Sequence, residues 1–133
     1  MVGNLLLCGK SLLMQTVKPN LIVDLSFQFA LKIITYSELL EEKKKYVISK
    51  QLIRSGISIG ANIREAQNAE SLKDFIHKMK IAAKEADETE YWLMLTDNAD
   101  NYPKPGDLIS KCMDISKILS KIISSSKAKM KFE

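Results

Sequence analysis

Glycine, proline, cysteine and histidine are all scarce in this chain, at five, three, two and one among 133 residues. Each scarcity excludes something. So few glycines and prolines rule out collagen-like, linker-like and low-complexity chains. Cys8 and Cys112 stand alone, with no Cys-x-x-Cys and no histidine at metal spacing. That pattern argues against a disulfide framework or zinc site and for a reducing, cytoplasmic setting. No run approaches the ~18 apolar residues of a membrane span. Leu5, Leu6 and Leu7, with no charged residue ahead of them, are too short a run for a secretory signal. Neither a membrane partner nor a cofactor is expected.

What remains is ordinary for a globular protein, with 46% apolar and 27% charged residues. The length suits one domain that buries about two-thirds of the surface exposed by its unfolded chain. Residues 1–20, closed by Pro19-Asn20, are expected to be a poorly ordered extension.

From Leu21 onward the apolar residues recur at helical spacing. Ile22, Leu25, Phe29, Ile33, Tyr36 and Leu40 share one face of a helix over about 21–40. The charged stretch 41–45 marks a turn. A second helix, about 44–69, carries Ile48, Leu52, Ile59, Ile63 and Ala66. A third, about 72–98, opens with Ser71 as cap and Asp74 in the first turn, and its face reads Leu72, Phe75, Ile76, Met79, Ala83, Ala86, Leu93. The breaker-rich segment 97–107 ends it. A fourth, about 105–126, carries Leu108, Cys112, Ile115, Leu119 and Ile122, and a basic tail follows over 127–133. No alternating strand pattern and no internal repeat appears. The expected fold is all-α, an up-and-down antiparallel four-helix bundle over 21–126.

The stretch Ser55–Asn62, SGISIGAN, has enough glycine and serine to suggest a phosphate loop. It lacks the G-x-x-x-x-G-K-[S/T] pattern, and no strand precedes it. On a helix, Gly56 and Gly60 make a smooth groove that lets a neighbouring helix approach closely. If the second and third helices turn near residue 70, levels match where residue numbers sum to about 140. The glycines are then expected opposite Ala83 and Met79.

The segment SKQLIRSGISIGANIREA (49–66), followed by SLKDFIHKMKIAAKEADETEYWL (71–93), resembles the four-helix-bundle family of 23S ribosomal-RNA intervening-sequence proteins. The resemblance covers roughly residues 22–126. It implies an up-and-down bundle that assembles as a ring-like homopentamer, with no catalytic residues to carry over. More distantly it extends to the accessory protein of diversity-generating retroelements, a basic pentamer that binds nucleic acid. Residues 1–20 are foreign to the family pattern, and Thr96-Asp97 stands where an apolar helix end is usual.

Charge supplies the candidate sites. The net charge is +4, all of it within residues 104–133 as the chain is read linearly, and five copies would carry +20. Lys73, His77, Lys80 and Lys84 form one stripe of the third helix. With Arg64, Lys127 and Lys129, the three lysines of that stripe are candidate contacts to RNA or DNA. The competing reading is a solvated face interleaved with Asp74, Glu85 and Glu88. Only Tyr91 lies near that stripe, so base stacking is not expected there.

Arg54, Ser55, Asn62 and Glu90 are candidate structural polar groups. Glu90 falls on the apolar face of the third helix and is expected to be tied to Arg54, Gln51 or Ser55. Ile53, Ile57, Tyr91 and Trp92 are candidate subunit contacts, with a widened core as the alternative. The lone His77 offers neither a repeated di-iron motif nor a triad. The expectation is therefore a non-enzymatic, self-associating protein that binds RNA or DNA through basic surface and takes no small-molecule substrate. The alternative is a purely protein-binding oligomeric scaffold.

Overall fold

The computed structural model describes residues 17–132, with side chains from residue 21. Four helices follow one another: α1 (Val17–Glu42), α2 (Tyr46–Ala66), α3 (Leu72–Asn98) and α4 (Leu108–Met130). α2 packs on both α1 and α3, α3 on α4, and α4 returns to α1, which closes an antiparallel bundle. Among the described residues there is no strand.

Two helix ends differ from expectation. Residues 17–20 already belong to α1, while residues 1–16 of the expected extension lie outside the described residues. The expected tail is helical through Met130. Lys127, Ala128, Lys129 and Met130 are good helix formers, and the lysines face the negative end of the helix dipole.

The turns are set locally. After α1, Lys45 N–H donates to Leu40 O at 2.8 Å and Lys44 N–H to Glu41 O at 2.8 Å. This is a Schellman closure, with Lys44 in the left-handed region at φ 63°. Ser71 caps α3 as expected: Asp74 N–H donates to Ser71 Oγ at 3.0 Å, and Asp74 Oδ2 accepts from Glu70 N–H at 3.2 Å. The longer α3–α4 loop is pinned from the opposite side of the bundle. Tyr36 Oη donates to Pro103 O at 2.6 Å, and Lys45 Nζ lies 4.6 Å from the centre of the Tyr102 ring.

The core consists of the apolar faces foreseen from spacing. Ile22, Ile33, Leu40, Leu52, Ile59, Ile63, Met79, Leu93 and Leu119 are fully buried. The α2–α3 register follows the expected sum closely, with Glu65 beside Lys78 and Ser55 beside Thr89. The glycines, however, do not face α3. A β-carbon at Gly56 would meet Ile33, and one at Gly60 would meet Ser26, both on α1. The close approach is real, but the approaching helix is α1.

Candidate functional site

Two surfaces remain once core and turns are accounted for. The first is apolar. On α1, Phe27, Leu31 and Ile34 point away from the core at helical spacing, and Phe27 is 52% exposed. With Ile57 and Ala61 of α2 they line an open hollow of about 280 Å³, edged by Arg64. Gly60 lies in its wall and keeps it smooth. A contiguous apolar strip of this kind is seldom left bare on a protein surface unless something covers it. Sequence reading identified Ile57 but missed the three α1 residues. The signal was present: Phe27, Leu31 and Ile34 repeat at helical spacing beside the core face, while the polar stripe Asp24, Gln28, Lys32, Thr35 and Glu38 keeps to another side of α1.

The remaining expected contact residues lie elsewhere. Ile53 is half-buried on α2. Tyr91 and Trp92 form a separate edge-on pair on α3, with ring centres 5.3 Å apart. Tyr91 is exposed, whereas Trp92 is half-buried and its Nε1–H donates to Glu88 Oε2 at 3.1 Å.

The second surface is basic. Folding gathers charge that the linear sequence spreads out. The bundle half at the α2–α3 turn (residues 21–29, 57–82 and 119–132) carries eight Lys/Arg against four Asp/Glu. The other half (30–56 and 83–118) carries ten against eleven. Arg64, Lys73, Lys80, Lys127 and Lys129 all sit in the basic half, exposed and without an acidic partner among the described residues. Lys84 lies nearer mid-bundle and is also exposed, with no acidic partner among the described residues. Lys78 is the exception, paired with Glu65 at 2.9 Å.

The structural polar groups divide in two. Arg54 bridges Glu85, at 3.4 Å, and Glu88, and its Nε–H donates to Gln51 Oε1. Ser55 is fully buried and shares a 2.8 Å hydrogen bond with Thr89. Asn62 is satisfied within its own helix, its Nδ2–H donating to Ser58 O at 2.8 Å. The expected tie from Glu90 to Arg54, Gln51 or Ser55 is not formed. Glu90 is half-buried and lies on the α4 side, near Cys112. The partners of Arg54 are instead Glu85 and Glu88, which lie on the side of α3 that faces α2.

Cys112 is unsuited to nucleophilic chemistry. It is fully buried, its Sγ–H donates to Ala86 O at 3.3 Å, and its thiol is pushed up to about 12 by burial, with Glu90 and Asp87 adding to the effect. His77 is exposed on α3. Among the described residues no three His, Cys, Asp or Glu side chains are grouped to hold a metal ion, and no helix is long and apolar enough to cross a membrane.

Comparison with known proteins agrees with this architecture. A crystal structure at 1.70 Å of a protein of unknown function from the S23 ribosomal protein family of Bacteroides thetaiotaomicron superposes with a TM-score of 0.75 at 45% identity. The match covers 80% of this chain and 98% of that one. No curated protein matches the chain. The model of the 23S rRNA-intervening sequence protein family matches residues 18–121. All four helices fall wholly or mostly within that span, so the chain belongs to the family of 23S rRNA-intervening sequence proteins.

Proposed function

We propose that this protein is a non-enzymatic, self-associating bundle that binds the phosphate backbone of RNA or DNA with its basic end. The observation that carries this reading is the axial charge separation: eight basic against four acidic residues at the α2–α3 end, and ten against eleven at the other. Unpaired lysines and arginine grouped on one end attract a polyanion without reading its sequence. Self-association through the Phe27, Leu31, Ile34 and Ile57 strip repeats that end around an assembly. A ring-like homopentamer, the form the family resemblance implies, would raise the net charge to +20.

A salt titration against a structured RNA tests the reading. Four phosphate contacts per site imply a loss of affinity of about 100-fold between 50 and 200 mM salt. A purely protein-binding scaffold shows no RNA affinity even at low salt, and that result rejects the proposal.

A further inference from the structure

A hollow of about 410 Å³ opens at the basic end, between the start of α1, the first two turns of α3 and the last turns of α4. Its floor is apolar, made by half-buried Leu72, Phe75 and Ile122 over the fully buried Ile22 and Met79. Its α4 wall runs Lys121, Ile122, Ser125, Ser126, Lys129, the spacing of one helix face. Lys121 and Lys129 are eight residues apart, about 12 Å along the helix axis. Both are exposed, and neither has an acidic partner among the described residues. The result is an apolar slot with a cation at each end.

That arrangement selects among ligands. A fatty acid or other single-headed amphiphile has one charge and would leave the second lysine unmatched. An unpaired nucleotide within a strand has a flat, largely apolar base and a phosphate on either side of it. The slot also holds groups suited to a base edge. Gln67 commits its Nε2–H to Ile63 O at 2.9 Å, which leaves its Oε1 available to accept, and Ser125 is an exposed hydroxyl. Half-buried Phe75 provides the aromatic surface that the lysine stripe of α3 lacks.

We propose that this hollow takes one unpaired nucleobase of a bound strand, with Lys121 and Lys129 on the two flanking phosphates. The proposal rests on the polyanion reading of the basic end and adds the recognised element: a bulged or single-stranded nucleotide rather than a regular duplex, whose stacked bases cannot enter.

The test uses the full chain and three RNA hairpins: one with a single bulged adenosine, one with an abasic site at the bulge, and one without the bulge. Fluorescence anisotropy is measured across a salt series. Loss of the base is expected to weaken binding about tenfold, within the range of single-base contacts to protein, without changing the salt slope, because both phosphates remain. Lys121→Gln and Lys129→Gln are each expected to reduce the slope by about 0.7 to 0.9. Ser125→Trp, at the exposed rim, is expected to fill the slot and abolish the difference between the base-bearing and abasic hairpins. Equal affinity for those two hairpins in the wild type overturns the base pocket while leaving phosphate binding intact. Decanoate occupying the hollow with no such base dependence overturns it as well. If no hairpin binds at low salt, the polyanion reading fails and the pocket proposal fails with it.

Discussion

Gly56 and Ile33 interlock: a β-carbon added at position 56 would sit 2.9 Å from Ile33 Cγ2, so the space left by the missing side chain is the space Ile33 fills. One turn along, a β-carbon at Gly60 would meet Ser26 Oγ at 3.4 Å, an ordinary contact. The two glycines therefore predict opposite outcomes. Gly56→Ala overpacks a β-branched core side chain, at about 1–3 kcal/mol, against about 1 kcal/mol gained in helix propensity. The expected result is a net loss of up to about 2 kcal/mol. Gly60→Ala is expected to stabilise by about 0.5–1 kcal/mol. Denaturant midpoints at constant m-value measure both. Equal destabilisation at the two positions would contradict this seating of α1.

Ser55 and Thr89 form the buried polar link between α2 and α3. Thr89→Val strands the buried Ser55 hydroxyl and is expected to cost about 1–2 kcal/mol, whereas after Ser55→Ala the Thr89 hydroxyl keeps Glu85 O at 2.7 Å and the expected cost is smaller. The double variant is expected to cost clearly less than the sum, because it leaves neither partner stranded. Strict additivity in the double-mutant cycle would show that the pair does not interact.

These two cases also show what spacing reveals and what it hides. A helical wheel reports which residues turn inward, and the buried set at Ile22, Phe29, Ile33, Leu52, Ile59, Ile63, Met79 and Leu119 follows it. It does not report which neighbour an inward residue meets. In a four-helix bundle every helix serves two neighbours over overlapping arcs, and that is why the glycines were assigned to α3 when they seat α1. The Arg54 pairing was missed for a related reason. Its long side chain reaches Glu85 and Glu88 on the α2-facing edge of α3, whereas Glu90 lies towards α4 and Cys112. The residues of the basic end were legible one by one, as Arg64, Lys73, Lys80, Lys127 and Lys129, but their gathering at one end was not, because it joins α2, α3 and α4 segments that are far apart in sequence. The outer apolar residues of α1 were legible in principle, as Phe27, Leu31 and Ile34 repeat at helical spacing beside the core face.

Burial of Cys112 makes stability fall in alkali. The thiol ordinarily titrates near 9 and is raised to about 12 in the folded protein. A raised folded value means its contribution is fully present below pH 9 and is lost as pH climbs from 9 towards 12. Tyr36, raised above its ordinary 10.0 mainly by burial, adds to the same fall. Melting temperature is expected to be flat from pH 7 to 9 and to drop above, less steeply in Cys112→Ala. In Cys8→Ser protein, iodoacetamide should label Cys112 only as fast as the fold opens. Rapid labelling of the native protein at pH 8 would refute the buried, protonated thiol.

The α1–α2 strip predicts the behaviour of the assembly. Light scattering is expected to give a mass several times the 15.0 kDa of the chain, and five times it for the pentamer. Leu31→Asp and Ile34→Asp place charge on residues that are already solvent-exposed in the single chain. They are expected to reduce the mass to that of one chain with an unchanged circular dichroism spectrum. An unchanged mass in both variants would place the subunit contact elsewhere, with Tyr91 and Trp92 the next candidates.

Charge reversal at the two ends of the bundle tests the central claim most directly, because both variants change net charge equally. Lys73→Glu, Lys80→Glu and Lys127→Glu together alter the basic end, and Lys43→Glu, Lys44→Glu and Lys50→Glu the other. Affinity for one structured RNA is measured at fixed low salt. The basic-end triple variant is expected to lose at least 100-fold, as befits several phosphate contacts, and the opposite-end variant no more than a few-fold. Equal losses at the two ends would mean that only overall charge matters and that the basic end is not a site.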